Sequence, residues 1–343
     1  MTKRPINTGI VGATGMVGEV FLQLLNERKF PVGELRLFAS ERSAGATRKF
    51  NGKDLALAQL SPGCFKGLDL VFFSSGDDIS KEWGPRAVAD GAFAVDNSAA
   101  YRMSEAHALV VPEVNGDILP KPGQPALIAN PNCSTIQLVL ALAPLQRDFG
   151  IESVHVATYQ AVSGAGRAGQ EELAEQIKNW SPERAPSGAK TFPHPIALNV
   201  IPEIGSFQDN GFCTEETKII RESKKILRTK DVRISAMVAR VPVWNSHSEA
   251  VWVRVKKSAT REQILASLKT QPGLRIDDNL VKHLYPLATE VSGKDDVSVG
   301  RIHQDLDDPN TWLMWIVGDN LRKGAALNGL QIAERIFDLK IRP

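Results

Sequence analysis

Along the first third of the chain, short apolar runs alternate with segments whose apolar residues fall on one helical face. Thr8–Val11 reads as a buried strand, and Val17, Val20, Phe21, Leu24 and Leu25 then recur at helical spacing. Leu35–Ala39, Leu68–Ser74 and Phe93–Val95 repeat the strand signal, with a helix expected over Ser80–Ala89. Strands alternating with helices imply right-handed crossovers and a mostly parallel, doubly wound sheet. Leu127-Ile128-Ala129-Asn130 ends a further strand, Pro131-Asn132 punctuates it, and Ser134–Leu145 is an apolar, helix-compatible run. Beyond it the texture changes. Val154–Ala161, Val232–Val241 and Ala250–Val255 are β-rich runs, predicting a largely antiparallel sheet and hence an α+β second domain. Ser181–Gly211 is rich in loop residues, too long for a simple connection, and is expected to form a dimer contact or an active-site wall. Ala325–Leu339 predicts an amphipathic helix with Ala326, Leu330, Ala333 and Phe337 on one face.

Composition adds bounds. The 343 residues exceed one ordinary core, so two domains are expected. A formal charge of +2, from 41 basic and 39 acidic side chains, gives no electrostatic reason for a nucleic-acid or membrane partner. The start, Met1-Thr2-Lys3-Arg4-Pro5, carries no secretory signal, and no apolar run approaches the ~18 residues that span a bilayer. Three widely spaced cysteines fit a reducing cytoplasm and lack the close pairing of a zinc site, so no metal is expected.

Candidate chemistry begins with Gly12-Ala13-Thr14-Gly15-Met16-Val17-Gly18, directly after the first strand. Its glycines would let the backbone turn tightly and approach a pyrophosphate at a helix N-terminus, as in a Rossmann-like domain. The spacing G-x-x-G-x-x-G departs from the commoner fingerprint, and the bland alternative is a ligand-free turn. After the second strand, Ser40 and Arg42 suit the 2′-phosphate of NADP, whereas Glu41 suits a ribose diol.

Cys133 sits where strand gives way to helix, so unpaired N–H groups and the helix dipole favour its thiolate. Cys64 and Cys213 are read instead as small buried hydrophobes. A helix end contributes roughly 1 kcal/mol, less than one pKa unit, so a base or cation must supply the rest. His247, His155 and His194 are equally eligible on this reading. Glu215 and Lys218 lie three apart, the spacing of a solvated helical ion pair. Arg240 ends a strand and is either a surface charge or a carboxylate fork. Ser163-Gly164-Ala165-Gly166 is expected to be a flexible loop that cradles a cofactor or simply turns.

Together, Gly12-Ala13-Thr14-Gly15-x-Val17-Gly18, Asn132-Cys133-Ser134-Thr135, Gln160-Ala161-Val162-Ser163-Gly164, Thr214-Glu215-Glu216-x-Lys218, Arg240-Val241-Pro242-Val243 leading to His247-Ser248-Glu249, and Gly318-Asp319-Asn320-Leu321-Arg322-Lys323-Gly324 resemble the aspartate-β-semialdehyde dehydrogenase family over essentially the whole chain. The resemblance implies an NADP-dependent, reversible conversion of L-aspartate 4-semialdehyde and phosphate to 4-phospho-L-aspartate. In cells that reaction runs toward the semialdehyde, for lysine, threonine, methionine and diaminopimelate synthesis. It implies Cys133 as the nucleophile that forms a thioacyl intermediate, His247 as acid/base, and Gln160 as a positioning residue beside substrate. Arg240 would fork onto the α-carboxylate and Glu215 would hold the α-ammonium. Arg102 and Lys218 would grip phosphate, with Asn132 assisting. Gly12, Thr14, Gly15, Met16, Val17, Ser40, Arg42, Ser43, Ser163, Gly164 and Asn320 would contact NADP. The C-terminal helix would return to the first domain, giving domains 1–132 with 321–343 and 133–320, and the protein would be a cytoplasmic homodimer. N-acetyl-glutamyl-phosphate reductase shares the chemistry, but its neutral acylated amine gives Glu215 no ammonium to hold. Glyceraldehyde-3-phosphate dehydrogenase would need a second phosphate site instead of a carboxylate fork. A non-catalytic nucleotide-binding homologue would be expected to lose Cys133 or the substrate clamp.

Overall fold

The computed structural model describes residues 4–43, 45–183 and 185–339; the start at Met1-Thr2-Lys3 and the last four residues lie outside them. The chain divides into two compact units, Met1–Asn132 with Ala325–Pro343, and Cys133–Gly324.

In the first unit, β1 (Ile6–Val11), β2 (Val32–Phe38), β3 (Thr47–Phe50), β4 (Lys53–Ala58), β5 (Leu70–Phe73), β6 (Phe93–Asp96), β7 (Ala108–Leu109) and β8 (Leu127–Ala129) form a sheet in the order β3-β4-β2-β1-β5-β6-β8-β7. Only β3 and β4 pair antiparallel. They form a hairpin not read from the apolar pattern, turned by Asn51 and Gly52 at φ +49° and +76°, the pair of positive angles that a tight hairpin needs. Helices α1 (Met16–Glu27), α2 (Asp77–Ala89) and the short α3 (Pro112–Asn115) complete the crossovers. Helix α2 begins three residues before the expected Ser80, its N-terminus at Gly76 and two aspartates in its first turn. Successive residues of β5 serve opposite faces: Phe72 stacks on Phe21 at 4.3 Å, while Phe73 joins Phe65 and Trp83. A strand buried on both faces reads as continuous apolar sequence for this reason.

The second unit holds β9 (Ile151–Gln160), β10 (Arg233–Arg240), β11 (His247–Val255), β12 (Leu274–Ile276), β13 (Val297–Gln304) and β14 (Thr311–Gly318), in the order β10-β9-β11-β14-β13-β12. The pairs β9–β10 and β12–β13 are parallel and the others antiparallel, so the sheet is mixed. Helices α4 (Cys133–Asp148), α5 (Gly166–Lys178), α6 (Thr214–Ile226), α7 (Arg261–Lys269) and the short α8 (Ala288–Val291) accompany it. On β11 the alternate residues His247, Glu249, Val251, Val253 and Val255 are buried and Trp252 is exposed, so one sheet face is covered and the other is open. The long 181–211 stretch is pinned to α5. Buried Glu172 accepts the Lys190 and Thr191 N–H groups, and Gln176 accepts those of Ile196 and Ala197 at 2.8 and 2.9 Å.

Near its end the chain passes through a π-turn at Arg322–Ala326 and forms α9 (Leu327–Ile336). This helix starts two residues later than expected and is buried nearly all round instead of along one stripe, with Phe337 just past its end. It is tied into the first unit. Arg28 forks onto Glu334 at 2.8 and 2.9 Å, and Asn328 donates to the Val110 carbonyl and to Asn130.

Candidate active site

The three glycines of the nucleotide-type loop have separate tasks. Gly12 turns left-handed at φ +82°, and a Cβ there would strike the Ser74 carbonyl at 2.8 Å. Gly18 lets α1 press on the loop, since a Cβ would meet the Gly12 oxygen at 2.3 Å. Gly15 stands at the head of α1, whose N-terminus has no side-chain cap, and a Cβ there would only touch the Gly12 oxygen, at 3.4 Å. Free N–H groups there suit an anion. A cleft of about 460 Å³ lies at these carboxyl ends, lined among others by Gly12, Thr14, Gly15, Ser40, Ser74 and Trp83. It sits where strand order reverses, between β1 and β5. Met16, Val17, Arg42 and Ser43 are not in its lining, and exposed Glu41 is. Gln59, Leu60, Ser75, Ile79 and Trp83 were not singled out from sequence. Arg102, in the same unit, is buried, its guanidinium donating to the carbonyls of Asn130 (2.9 Å) and Asn97 (2.7 Å).

The second unit gathers its polar residues at one end of its sheet. Gln160 and Arg240 are the last residues of β9 and β10 and pair in register, and His247, the first of β11, pairs with Gly318, the last of β14. Cys133 is the first residue of α4, half-buried against Gly324, where a Cβ would come within 2.9 Å of its own. One helical turn on, Gln137 donates to the His247 carbonyl at 3.3 Å, which places the head of α4 over that end of the sheet. Arg240 is buried, donates to the Ala161 carbonyl at 2.8 Å, and lies 5.9 Å from the Phe192 ring centre. Burial pushes its pKa down, while the charges of Glu215 and of a Cys133 thiolate push it up. Cys133 and Glu215 therefore both act on one guanidinium.

Glu215 is buried, unlike the solvated ion pair its spacing allowed. Gln160 donates to one of its oxygens at 3.2 Å and Lys218 to the other at 3.3 Å. Its place in the first turn of α6, with Glu216 closing a capping box on Cys213, suits a carboxylate. Of the three histidines, His155 and His194 are exposed and His247 is fully buried. The Ala161 N–H donates to its Nδ1 at 3.0 Å, so the neutral ring carries its proton on Nε2, which meets no protein partner. Burial, and then the Arg240 charge, hold its pKa well below 6.5. Asn132 is buried. Ser163 and Gly164 belong to a 3₁₀ turn, Val162–Ala165, that runs on into α5, so the expected flexible loop is an ordered turn. A Cβ on Gly164 would lie 2.6 Å from Arg240 Nη1. Cys213 is buried, whereas Cys64 is half-buried and burial pushes its thiol up. Among the described residues no cluster of His, Cys, Asp and Glu could hold a metal, and no helix is long and apolar enough to cross a membrane.

A dinucleotide-type unit followed by a dimerisation unit is the plan of the semialdehyde dehydrogenases. The family descriptions "semialdehyde dehydrogenase, NAD binding domain" and "semialdehyde dehydrogenase, dimerisation domain" match residues 7–121 and 142–323. The chain is 45% identical to aspartate-semialdehyde dehydrogenase of Aquifex aeolicus over 326 residues, covering 95% of this chain and 96% of that one. Crystal structures of aspartate semialdehyde dehydrogenase II from Vibrio cholerae superpose with TM-scores of 0.92 alone and 0.91 complexed with ASA, at 39% and 38% identity, each covering 98% of this chain and 100% of theirs. The chain belongs to the aspartate-semialdehyde dehydrogenase family.

Proposed function

We propose that this chain catalyses the reversible, NADPH-dependent reductive dephosphorylation of 4-phospho-L-aspartate to L-aspartate 4-semialdehyde, a step of amino-acid biosynthesis in the cytoplasm. The observation that carries the reading is buried Arg240, paired in register with Gln160, whose amide donates to buried Glu215 at 3.2 Å. It sets a cation and an acid at one end of the sheet, suited to an amino acid with free amine and carboxylate. The α1 terminus, with Gly15 and left-handed Gly12, fits a pyrophosphate. NADP(H) held there would supply or collect the hydride.

The α4 N-terminus and Arg240 favour the Cys133 thiolate. Its sulfur bonds to the acyl carbon as the carbon–oxygen bond to phosphate breaks, leaving a thioester. Lys218 is a cation for the departing phosphate, and in the reverse direction it lowers the repulsion between two anionic partners. His247 donates its Nε2–H to the substrate oxygen on which charge develops. Full transfer of that proton would leave an anionic ring, and the Ala161 N–H at Nδ1 opposes reprotonation on the other side. The acid/base role expected for His247 thus narrows to that of a neutral donor. Hydride addition to the thioester carbon would give a tetrahedral centre, which collapses to the aldehyde as the carbon–sulfur bond breaks and the thiolate returns. Gln160 orients Glu215, which takes the substrate ammonium in exchange for Lys218.

A homodimer formed through the open sheet face agrees with the matched dimerisation domain and with exposed Tyr159, Met237 and Trp252 on that face. The test is NADPH formation by the purified protein from L-aspartate 4-semialdehyde, NADP and phosphate. Activity only with the acetylated glutamyl semialdehyde would refute the substrate assignment.

A further inference from the structure

Immediately before His247, the backbone of Ser246 takes φ +74° while buried to 1% exposure. A residue with a Cβ holds that left-handed conformation only at a conformational cost, so something must keep it there. The Ser246 N–H donates to Asn320 Oδ1 at 3.0 Å. Asn320 Nδ2 donates to Ser163 Oγ at 2.9 Å, the Ser163 hydroxyl donates to Asn245 Oδ1 at 2.9 Å, and Asn245 Nδ2 donates to Asp319 Oδ2 at 2.9 Å. Asp319 is itself fixed by the N–H groups of Gly293, Leu321 and Arg322 at 2.7, 2.9 and 3.0 Å. Each donor in this chain meets an acceptor, which sets the orientation of the Asn320 amide. Ser246 Oγ, by contrast, is buried without a partner, so the serine hydroxyl contributes nothing to the hold.

We propose that Asn320 is a positioning residue for His247: by gripping the Ser246 N–H it keeps the left-handed turn that aims the imidazole. This rests on the reading of His247 as the donor to the reacting oxygen. The ring is otherwise held at Nδ1 by Ala161 and at its backbone carbonyl by Gln137. Both contacts are made with residue 246 at positive φ. Released from Asn320, Ser246 relaxes toward the ordinary negative-φ basin and the start of β11 swings the ring away. The resemblance assigned Asn320 to the cofactor; here its amide oxygen is engaged by the protein.

The two roles separate kinetically. Asn320→Ala should lower kcat on the order of 10- to 100-fold, the usual result of moving a reacting group by about an ångström, with the KM for NADP unchanged. Ser246→Gly removes the conformational cost that the clamp opposes. The double variant Ser246→Gly with Asn320→Ala should therefore recover to within about threefold of Ser246→Gly alone. A raised KM for NADP at unaltered kcat, or a double variant as slow as Asn320→Ala, would overturn the proposal. Should the alanine variant not fold, Ser246→Thr applies a milder strain, because a β-branched residue resists positive φ. A several-fold lower kcat at unchanged NADP KM then supports the clamp, and full activity overturns it. Wild-type protein inactive on L-aspartate 4-semialdehyde would point to a failure of the substrate reading instead.

Discussion

Replacing Gly164 by alanine adds one methyl group at the point where Arg240 and His247 come closest to a common neighbour. Gly164 does not use a left-handed backbone, so alanine is conformationally acceptable and the effect is steric. The new Cβ would stand 2.6 Å from Arg240 Nη1 and 3.2 Å from both Cε1 and Nε2 of His247. Ordinary contact lies near ~3.5 Å, so the guanidinium must withdraw by about 0.9 Å and the imidazole by about 0.3 Å. An exposed arginine would yield freely. This one is buried, bonded to the Ala161 carbonyl at 2.8 Å and packed on Phe192, so withdrawal breaks that bond or moves the loop. A shift of about 1 Å in a substrate-orienting group costs on the order of 100-fold in rate. Overpacking costs roughly 1–3 kcal/mol, a fall in Tm of several degrees, so the variant should stay folded at assay temperature. Steady-state kinetics with L-aspartate 4-semialdehyde should then show kcat/KM down about 30- to 100-fold. A variant within threefold of wild type, or a loss confined to the KM for NADP, would refute the claim that Arg240 and His247 are locked by this turn.

Cys133→Ala should abolish turnover and leave NADPH affinity, read by fluorescence titration, nearly intact; measurable turnover would dismiss the thioester route. Arg240→Lys cannot hold both the Ala161 carbonyl and a carboxylate with one ammonium, so the substrate KM should rise several-fold or kcat should fall, and an indistinguishable variant would remove the fork. Glu249 is fully buried, neither of its oxygens has a regular hydrogen-bond partner, and burial, opposed only by Gln137, pushes its pKa well above 4.5. The folded state therefore keeps a proton that the unfolded chain releases above about pH 4.5. That contribution to stability is complete at lower pH and is lost, at up to ~1.4 kcal/mol per pH unit, as pH rises toward the folded-state pKa. Glu249→Gln should raise Tm at pH 8, with the gain shrinking toward pH 4.5; an equal gain at both pH values would mean that the carboxyl's proton is not involved. His247 acts in the opposite sense, because its folded pKa lies below 6.5, so stability falls as pH drops through 6.5 toward that depressed value.

The doubly wound first unit was legible because buried parallel strands and their crossover helices each write a distinct period into the sequence. The β3–β4 hairpin was not read from that pattern: Lys53–Ala58 is mostly exposed, with only Leu55 half-buried and Leu57 buried, and the informative signal was the Asn51-Gly52 turn. In the second unit the antiparallel reading followed from long strands without helices between β10 and β11. The parallel pairing of β9 with β10 depends on α5, the 181–211 stretch and α6, where loop residues outweigh any period. The buried state of α9 was misjudged because Asn328, Gln331 and Glu334 look like a polar face, whereas Asn328 and Glu334 are satisfied inside by Val110, Asn130 and Arg28.

Within the site, the cysteine at a strand–helix junction declared itself through a local physical argument, while the other side chains emerged only as members of a pattern. Three candidate histidines looked alike until topology buried one, and Glu215 looked solvated until α6 turned it inward. Least legible were residues that act through the backbone. Gly164 and Ser246 carry no functional group aimed at substrate, yet one limits how far Arg240 and His247 can move and the other sets the direction from which His247 enters its strand. A serine at φ +74° has no sequence signature, because the same residue is ordinary in any turn. Its meaning comes from Asn320, 74 positions away, which holds its N–H. Chemical identity can thus be read residue by residue, but alignment of the reacting groups depends on distant pairs that only the folded chain brings together.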